Sequence, residues 1–482
     1  LGFFIGFAAV SLFGPTAQLL KQVMGLTPLQ VGLLVAIPAA TGSLLRIPFG
    51  AWVDTTGGRK PFVILLALSA VGMVGLLGVL TAYYPDHLTS AHYPLLLFLG
   101  LLVGCGIATF SVGIGQVSYW HPHDLQGRAL AIYAGFGNIA PGIFALLIPL
   151  LIAALGLTWT YAVWLGLLLA GVAGYAYVSC DAPYFQIRRR ERTMTVQEAA
   201  QRAQLQGQDL FPAGGAWEGL VATIHLGRIW ALIFLYFTSF GGFLALTAWF
   251  PSFWMGRFDV TLTLAGALTM LYSVLASIIR VPGGFLSDRI GGEQVAIVAF
   301  FVMLAGTLLL AASMTVTTAV LAMVVMAIGM GVANAAIFKL VPYYLAAYGS
   351  GAGAGWVGGL GAFGGLVLPP VFGLLVQVSG REQGYLMGAL ILAALAAGCI
   401  IVTAALWKTR VAVAASSAVR GPFLFTCPRD KIVAEVWVVA ASGEMPYGRM
   451  VRCSLHGEGE TCDAACLNQL ADAETSSAEG AH

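Results

Sequence analysis

Two arginines, Arg46 and Arg280, stand inside runs of apolar residues, where an uncompensated charge is costly. Residues 46–58 read RIPFGAWVDTTGG and residues 280–292 read RVPGGFLSDRIGG. Arg, Pro, Gly, Asp and a Gly-Gly pair coincide at an offset of 234, six identities in thirteen positions. In each copy the Arg precedes the Asp by eight residues, about 12 Å along a helix that rises 1.5 Å per residue. A bilayer's hydrocarbon core is about 30 Å thick, so that depth is near the midplane, too deep for easy snorkelling. A guanidinium does not shed its proton there. The usual rescue is a carboxylate, yet none of the 21 Asp and Glu falls well inside an apolar run. Two repeat-related cations without a protein counter-ion imply a small anion as the missing partner. The competing explanation is that each guanidinium bonds helix carbonyls across the bundle.

The elements that must carry these residues follow from composition. The chain is 59% hydrophobic and 9% charged over 482 residues, against about 25% charged in an ordinary soluble domain. A formal charge of +2 gives no basic footprint for nucleic acid. Seven Cys in this length make no disulfide framework. Spanning helices need about 20 apolar residues, and twelve such segments are expected: 1–22, 29–53, 61–82, 93–118, 128–153, 159–180, 229–255, 262–285, 294–314, 318–341, 352–378 and 385–407. The offset of 234 carries span two onto span eight, so the fold expected is all-α, two pseudo-symmetric six-helix halves with the site at their interface. The domains read as an N-terminal half over 1–180, a polar linker over 181–228, a C-terminal half over 229–407 and an appended tail over 408–482. The chain opens on Leu1 within an apolar run, so further residues are expected before it. Of the 23 Lys and Arg, 17 fall in the even-numbered connections and the tail, which places both termini and the linker on the cytoplasmic side of a bacterial-type inner membrane.

Within the repeat, D-x-x-G-G reads as a tight turn. Gly57, Gly58, Gly291 and Gly292 supply backbone freedom, and Asp54 and Asp288 are expected to cap neighbouring helices as a structural latch. Lys339 is the third cation in a span, near the cytoplasmic end of span ten. It reads either as a snorkelling side chain, or as an extra attractor on the anion's inward path or a titrating group available for coupling.

These residues resemble the major facilitator superfamily, and the Arg-bearing spans resemble its nitrate/nitrite porter branch over about 1–407. That branch has a G-N-x-G signature in span five and a second Gly-rich signature in span eleven. Here span five reads GFGNIAPGIF, with Gly137 and Asn138, and span eleven reads GWVGGLGAFGGLVLPP, with Gly361 and Gly364. Ala140 and Pro141 stand where the family continues with more Gly. The resemblance implies that Tyr236 and Phe240 of span seven and Phe110 of span four face the anion. The chemistry agrees: a guanidinium fork bonds planar oxyanions bidentately, and Asn and Tyr side chains can donate to them. Aligning span five on span eleven at an offset of 224 pairs Gly135 with Gly359 and Gly137 with Gly361, but Asn138 with Ala362. The repeat keeps its glycines and breaks at the one hydrogen bonder.

The function expected is therefore secondary transport of nitrate and nitrite by alternating access, as exchange. Proton symport, or transport of another small anion, are the alternatives within transport. A sensor with the tail as effector is the alternative outside it, and no kinase, cyclase or DNA-binding motif supports that. An enzyme is not expected, because no intramembrane cluster of carboxylate, His or Cys is present, and no Walker A motif invites ATP. No cofactor is expected for transport. The tail holds Cys427, Cys453, Cys462 and Cys466, a set that could hold zinc, although its spacing fits no standard pair. KIVAEVWVVA and RMVRCSL read as strands and CDAACLNQLADA as a short helix, with a disordered end; the tail's partner is unspecified.

Overall fold

The structure is a computed structural model. It describes the chain except residues 192, 213–220, 222–223, 346–349, 417–418, 427–432, 440–448 and 454–482. It divides into Leu1–Thr403 and Ala404–His482.

Among the described residues, eleven helices are long and apolar enough to cross a bilayer, from Pro28–Thr56 to Arg381–Thr409. They correspond in order to the expected spans two to twelve. The first expected span is present in pieces: a short helix Gly2–Phe7 running into a 3₁₀ turn at Ala8–Ser11, then a second helix at Ala17–Met24. Gly14 and Pro15 lie in the break. Pro15 has no N–H to continue a helix, and the backbone at Gly14 presses against the Ala248 carbonyl, where a Cβ would come within 2.7 Å. Between spans six and seven the linker forms Pro183–Arg190 and Val196–Gln204. The second is opened by a reciprocal capping box between Thr195 and Glu198. The backbone N–H of Thr195 holds the Glu198 carboxyl below its usual range.

The spans bearing candidate residues are interrupted, and the interruptions follow the repeat. Span two breaks at Leu45, just before Arg46, and span eight breaks at Ile279, just before Arg280. Span five breaks at Ile139, just after Asn138, and span eleven at Phe363. A proline follows closely in three of the four: Pro48, Pro282 and Pro141. Each lacks the N–H that would bond the carbonyl four residues back. Span seven carries a single π-helical turn at Phe237–Gly241, and span four a 3₁₀ turn at Cys105–Ala108. Backbone irregularity at bilayer depth is tolerated where protein covers it or where it lines a cavity.

The two halves meet most closely at the end away from the repeat turns. Gly32 of span two faces the Pro369 carbonyl of span eleven, and Gly266 of span eight faces the Ala145 carbonyl of span five. A side chain at either would collide with backbone, so these glycines set the approach of one half to the other.

The second unit contains a three-stranded antiparallel sheet: β1 (Val419–Thr426), β2 (Val433–Val439) and β3 (Arg449–Cys453), in the order β1-β2-β3. β2 and β3 are the strands expected. β1 was not foreseen, because Gly421 and Pro422 interrupt it. The pairing slips there, between Arg420 and Phe423, where an edge strand can tolerate Pro at a bulge. Cys453 ends β3, whereas Cys427, Cys462, Cys466 and the expected short helix lie outside the described residues.

Candidate functional site

The helix break before Arg46 turns its side chain into the bundle, where the residue is fully buried. Its Nε donates to the Gly42 carbonyl one turn back, at 3.0 Å. Its Nη1 donates across the half interface to the Gly358 carbonyl of span eleven, also at 3.0 Å. Its Nη2 has no partner. The carbonyl-bonding alternative thus holds for part of this guanidinium and leaves one edge free. The guanidinium also lies over two rings, 4.8 Å from the centroid of Phe110 and 5.2 Å from that of Phe240, a favourable arrangement for a desolvated cation.

Arg280, from the matching break of span eight, lies 5.6 Å from the centroid of the same Phe240 ring. The two charges therefore stand within about 11 Å of one another. Among the described residues, no carboxylate pairs with either. Arg280 is only half-buried, so the repeat-related pair is not equivalent: Arg46 is pinned and Arg280 is approachable.

Phe240 occupies the π turn of span seven, and Tyr236 immediately precedes it. Their rings stack with centroids 4.8 Å apart, and Phe110 stacks on Phe240 at 6.1 Å. The extra residue in that turn brings Gly241 against span eleven, where a Cβ would meet the Gly361 carbonyl at 2.5 Å. The Tyr236 hydroxyl is buried, faces Arg280, and has no partner in hydrogen-bonding geometry. Asn138 is fully buried, and neither its Nδ2 nor its Oδ1 has a partner. Its backbone carbonyl accepts from Ser277 Oγ at 2.9 Å, a second tie between the halves. An unpaired buried amide, hydroxyl and guanidinium edge are each costly, and each is a donor of the kind that an oxygen of an anion accepts from.

The glycines do a different job from the donors. A Cβ on Gly137 would enter the Phe3 ring; on Gly361 it would meet the Tyr236 ring at 2.6 Å; on Gly364 it would meet the Phe237 carbonyl at 2.6 Å. All three are places where one helix rests on another.

Sequence reasoning missed several neighbours. Phe338 of span ten packs edge-on against Tyr236 and Phe110 at 5.2 and 6.3 Å, and Phe7 stacks on Phe240 at 6.4 Å. Ser43, one turn before Arg46, is buried with an unpartnered Oγ. Extending the repeat upstream would have found it, because Ser43 and Ser277 also coincide at the offset of 234.

The repeat turns lie apart from the aromatic wall. Gly57 and Gly291 have φ of +80° and +113°, so both need glycine. Gly58 and Gly292 are close approaches instead, to Gln116 and Leu340. The expected capping by the aspartates is corrected. Asp54 Oδ1 accepts from the Tyr119 hydroxyl at 2.7 Å and Asp288 Oδ1 pairs with Lys339 at 2.7 Å. The backbone N–H of Arg59, at the start of span three, is capped by Asp181 at 2.8 Å. Asp54 and Asp288 thus latch the turns to spans four and ten. Lys339 Nζ also donates to the Ser287 carbonyl at 2.7 Å, so this cation belongs to the turn rather than to the aromatic wall.

Residues 1–353 match the model of the Major Facilitator Superfamily. A relative from Thermus thermophilus named "Probable nitrate/nitrite antiporter NarK1" is 29% identical over 414 residues, covering 80% of this chain and 85% of its own. The "Nitrite extrusion protein" of Bacillus subtilis is 26% identical over 383 residues, covering 79% and 86%. A structure of the xylose transporter XylE from E. coli superposes with a TM-score of 0.61 at 15% identity, covering 84% of this chain and 96% of that one, which is a likeness of fold. With the family model spanning well over half of its length, and eleven helices among the described residues long and apolar enough to cross a bilayer, this chain belongs to the Major Facilitator Superfamily.

Proposed function

We propose that the chain is a secondary transporter that carries nitrate and nitrite and exchanges one for the other by alternating access. One observation carries this reading. Arg46 and Arg280 share the Phe240 ring with no carboxylate partner among the described residues, the Tyr236 ring stacks on that same Phe240, and the Arg46 Nη2 is left without a partner. The names of the relatives support nitrate and nitrite as cargo. A flat monovalent oxyanion suits a slot walled by Phe110 and Phe240: the guanidinium forks supply charge and bidentate geometry, while the rings exclude bulkier tetrahedral ions. Gly137, Gly361 and Gly364 hold the walls at the spacing this slot needs.

Exchange follows from the same charges. Enclosing two desolvated cations with nothing between them is costly. An anion removes much of that cost, so the loaded carrier crosses readily and the empty one poorly. Proton symport would need a titrating group at the slot, and Lys339 is held by Asp288 and the Ser287 carbonyl instead. The antiporter name of the Thermus relative supports exchange as well. The bias of Lys and Arg toward even connections supports cytoplasmic termini, and the bacterial sources of the relatives support a bacterial-type inner membrane.

The test is uptake of labelled nitrate into liposomes. Preloading with nitrite should be required for rapid uptake, and an inward proton gradient should not substitute for it. Strong uptake into empty liposomes that follows the proton gradient would overturn exchange. Failure to bind nitrate or nitrite at all would overturn the choice of cargo.

A further inference from the structure

Away from the arginine slot, a cavity of about 870 Å³ opens between the first repeat turn, the start of span three, the end of span six and the linker helix Pro183–Arg190. Four cations line it: Arg59, Lys60, Arg188 and Arg189. Asp54 is the carboxylate of the lining, and it is bonded to Tyr119. Asp181 lies just behind and pairs with Arg189 at 2.7 Å. Arg59 spends its guanidinium on the Ala176 carbonyl, Arg188 donates to the Met194 carbonyl, and Lys60 lies 5.6 Å over the Trp52 ring. None of these three contacts neutralises charge.

The placement runs against helix electrostatics. Arg59 and Lys60 open the helix Arg59–Tyr83, whose own first turn holds no acidic residue; the one carboxylate that caps its start, Asp181, is already paired with Arg189. Cations at a helix N-terminus oppose the macrodipole. The other half avoids this: at the same offset of 234, Glu293 and Gln294 stand where Arg59 and Lys60 do, and Glu293 lies in the first turn of its helix. The basic cavity is thus a departure from the repeat, confined to one half.

Part of the remaining wall is apolar and comes from spans, with Val63, Ile64 and Ala176, while Thr55 and Thr56 of the turn and Tyr184, Phe185, Val196 and Pro212 of the linker complete it. Immediately after Ala176, Tyr177 and Val178 are 90% and 75% exposed at the end of span six, as expected of residues at the level where a bilayer meets water. A ligand that fits both walls has an anionic head and a hydrocarbon body. We propose that this cavity binds the phosphate headgroup of an anionic phospholipid of the cytoplasmic leaflet, with its chains lying along spans three and six. Basic recesses between spans suit such headgroups. Because the linker helix forms one side of the cavity, a bound lipid would tie the linker to the N-terminal half.

The test is native mass spectrometry of the full chain in neutral detergent, titrated with phosphatidylglycerol or phosphatidylcholine. The wild type should bind phosphatidylglycerol in preference to phosphatidylcholine. The double variant Lys60→Gln with Arg188→Gln should weaken phosphatidylglycerol binding roughly thirtyfold and leave phosphatidylcholine unchanged. Arg289→Gln, which removes one charge at the other repeat turn, should have no effect. Each single variant should lose about fivefold and carries the test if the double variant fails to give a monodisperse gel-filtration peak. Equal phosphatidylglycerol binding by wild type and variants overturns the proposal. Binding of inorganic phosphate that shows the same dependence on Lys60 and Arg188, with no added affinity from acyl chains, also overturns it and makes the cavity a site for soluble phosphate.

Discussion

At the scale of single residues, Arg46 is the most constrained group. Two of its nitrogens are committed to the Gly42 and Gly358 carbonyls, and only Nη2 is left for a ligand. Lysine would keep the charge but could not hold two carbonyls and a ligand in one plane. Arg46→Lys and Arg280→Lys are each expected to abolish nitrate binding while the protein still inserts and folds. Calorimetric titration of the purified variants checks this, and near-wild-type affinity in either would remove the basis for the slot. Asn138 and Tyr236 supply hydrogen bonds rather than charge. Losing a hydrogen bond to a charged group costs about 1.5–3 kcal/mol, so Asn138→Ala and Tyr236→Phe should weaken nitrate binding by roughly tenfold to a hundredfold. Unchanged nitrate and nitrite affinities in the same titration would return both residues to packing.

At the scale of elements, the helix breaks position the donors and the glycines set the distances. Gly135 and Gly137 lie on the same helix and make a matched pair. A Cβ on Gly135 would meet nothing within 4 Å, whereas on Gly137 it would enter the Phe3 ring. Overpacking of this kind costs typically 1–3 kcal/mol. Gly137→Ala should therefore lower the melting temperature of the purified protein, and Gly135→Ala should leave it unchanged or raise it slightly, as Ala is the better helix former. A thermal-shift assay in detergent decides between them, and equal behaviour of the two variants would mean that span five does not rest on Phe3. The four breaks follow from proline and repeat position, so their pairing across halves was partly legible. The π turn of span seven was not, because nothing in LYFTSFGGF distinguishes one extra residue per turn from a regular helix until span eleven packs on it.

At the scale of the whole molecule, transport and tail should separate. Every residue of the slot precedes position 370, and the tail sheet belongs to the unit that begins at Ala404. Deleting 420–482 should leave nitrate/nitrite exchange in liposomes intact, and loss of exchange in a correctly inserted deletion variant would give the tail a part in transport. Lys339→Gln breaks an ion pair whose members are 40% and 68% exposed, which is worth little in water. Exchange should persist at near wild-type rate in that variant. A selective loss of proton-driven uptake would instead make Lys339 a coupling residue.

The sequence by itself determined the order of spans two to twelve, the two-half organisation, and the pair of arginines set in apolar runs that hold no carboxylate. These are properties of composition, of one repeat and of helix rise, and none depends on how the helices lean. Two tail strands were legible from alternation, while β1 was hidden by Gly421 and Pro422. Only the tertiary structure decided that Arg46 bonds the Gly358 carbonyl of the opposite half, that both guanidiniums share Phe240, and that Lys339 is tied to Asp288. Each of these joins residues far apart in the chain, and their meeting depends on interhelical approach. That approach is set by glycines packed against carbonyls, such as Gly32 against Pro369, and a local pattern carries no record of which carbonyl a glycine will meet.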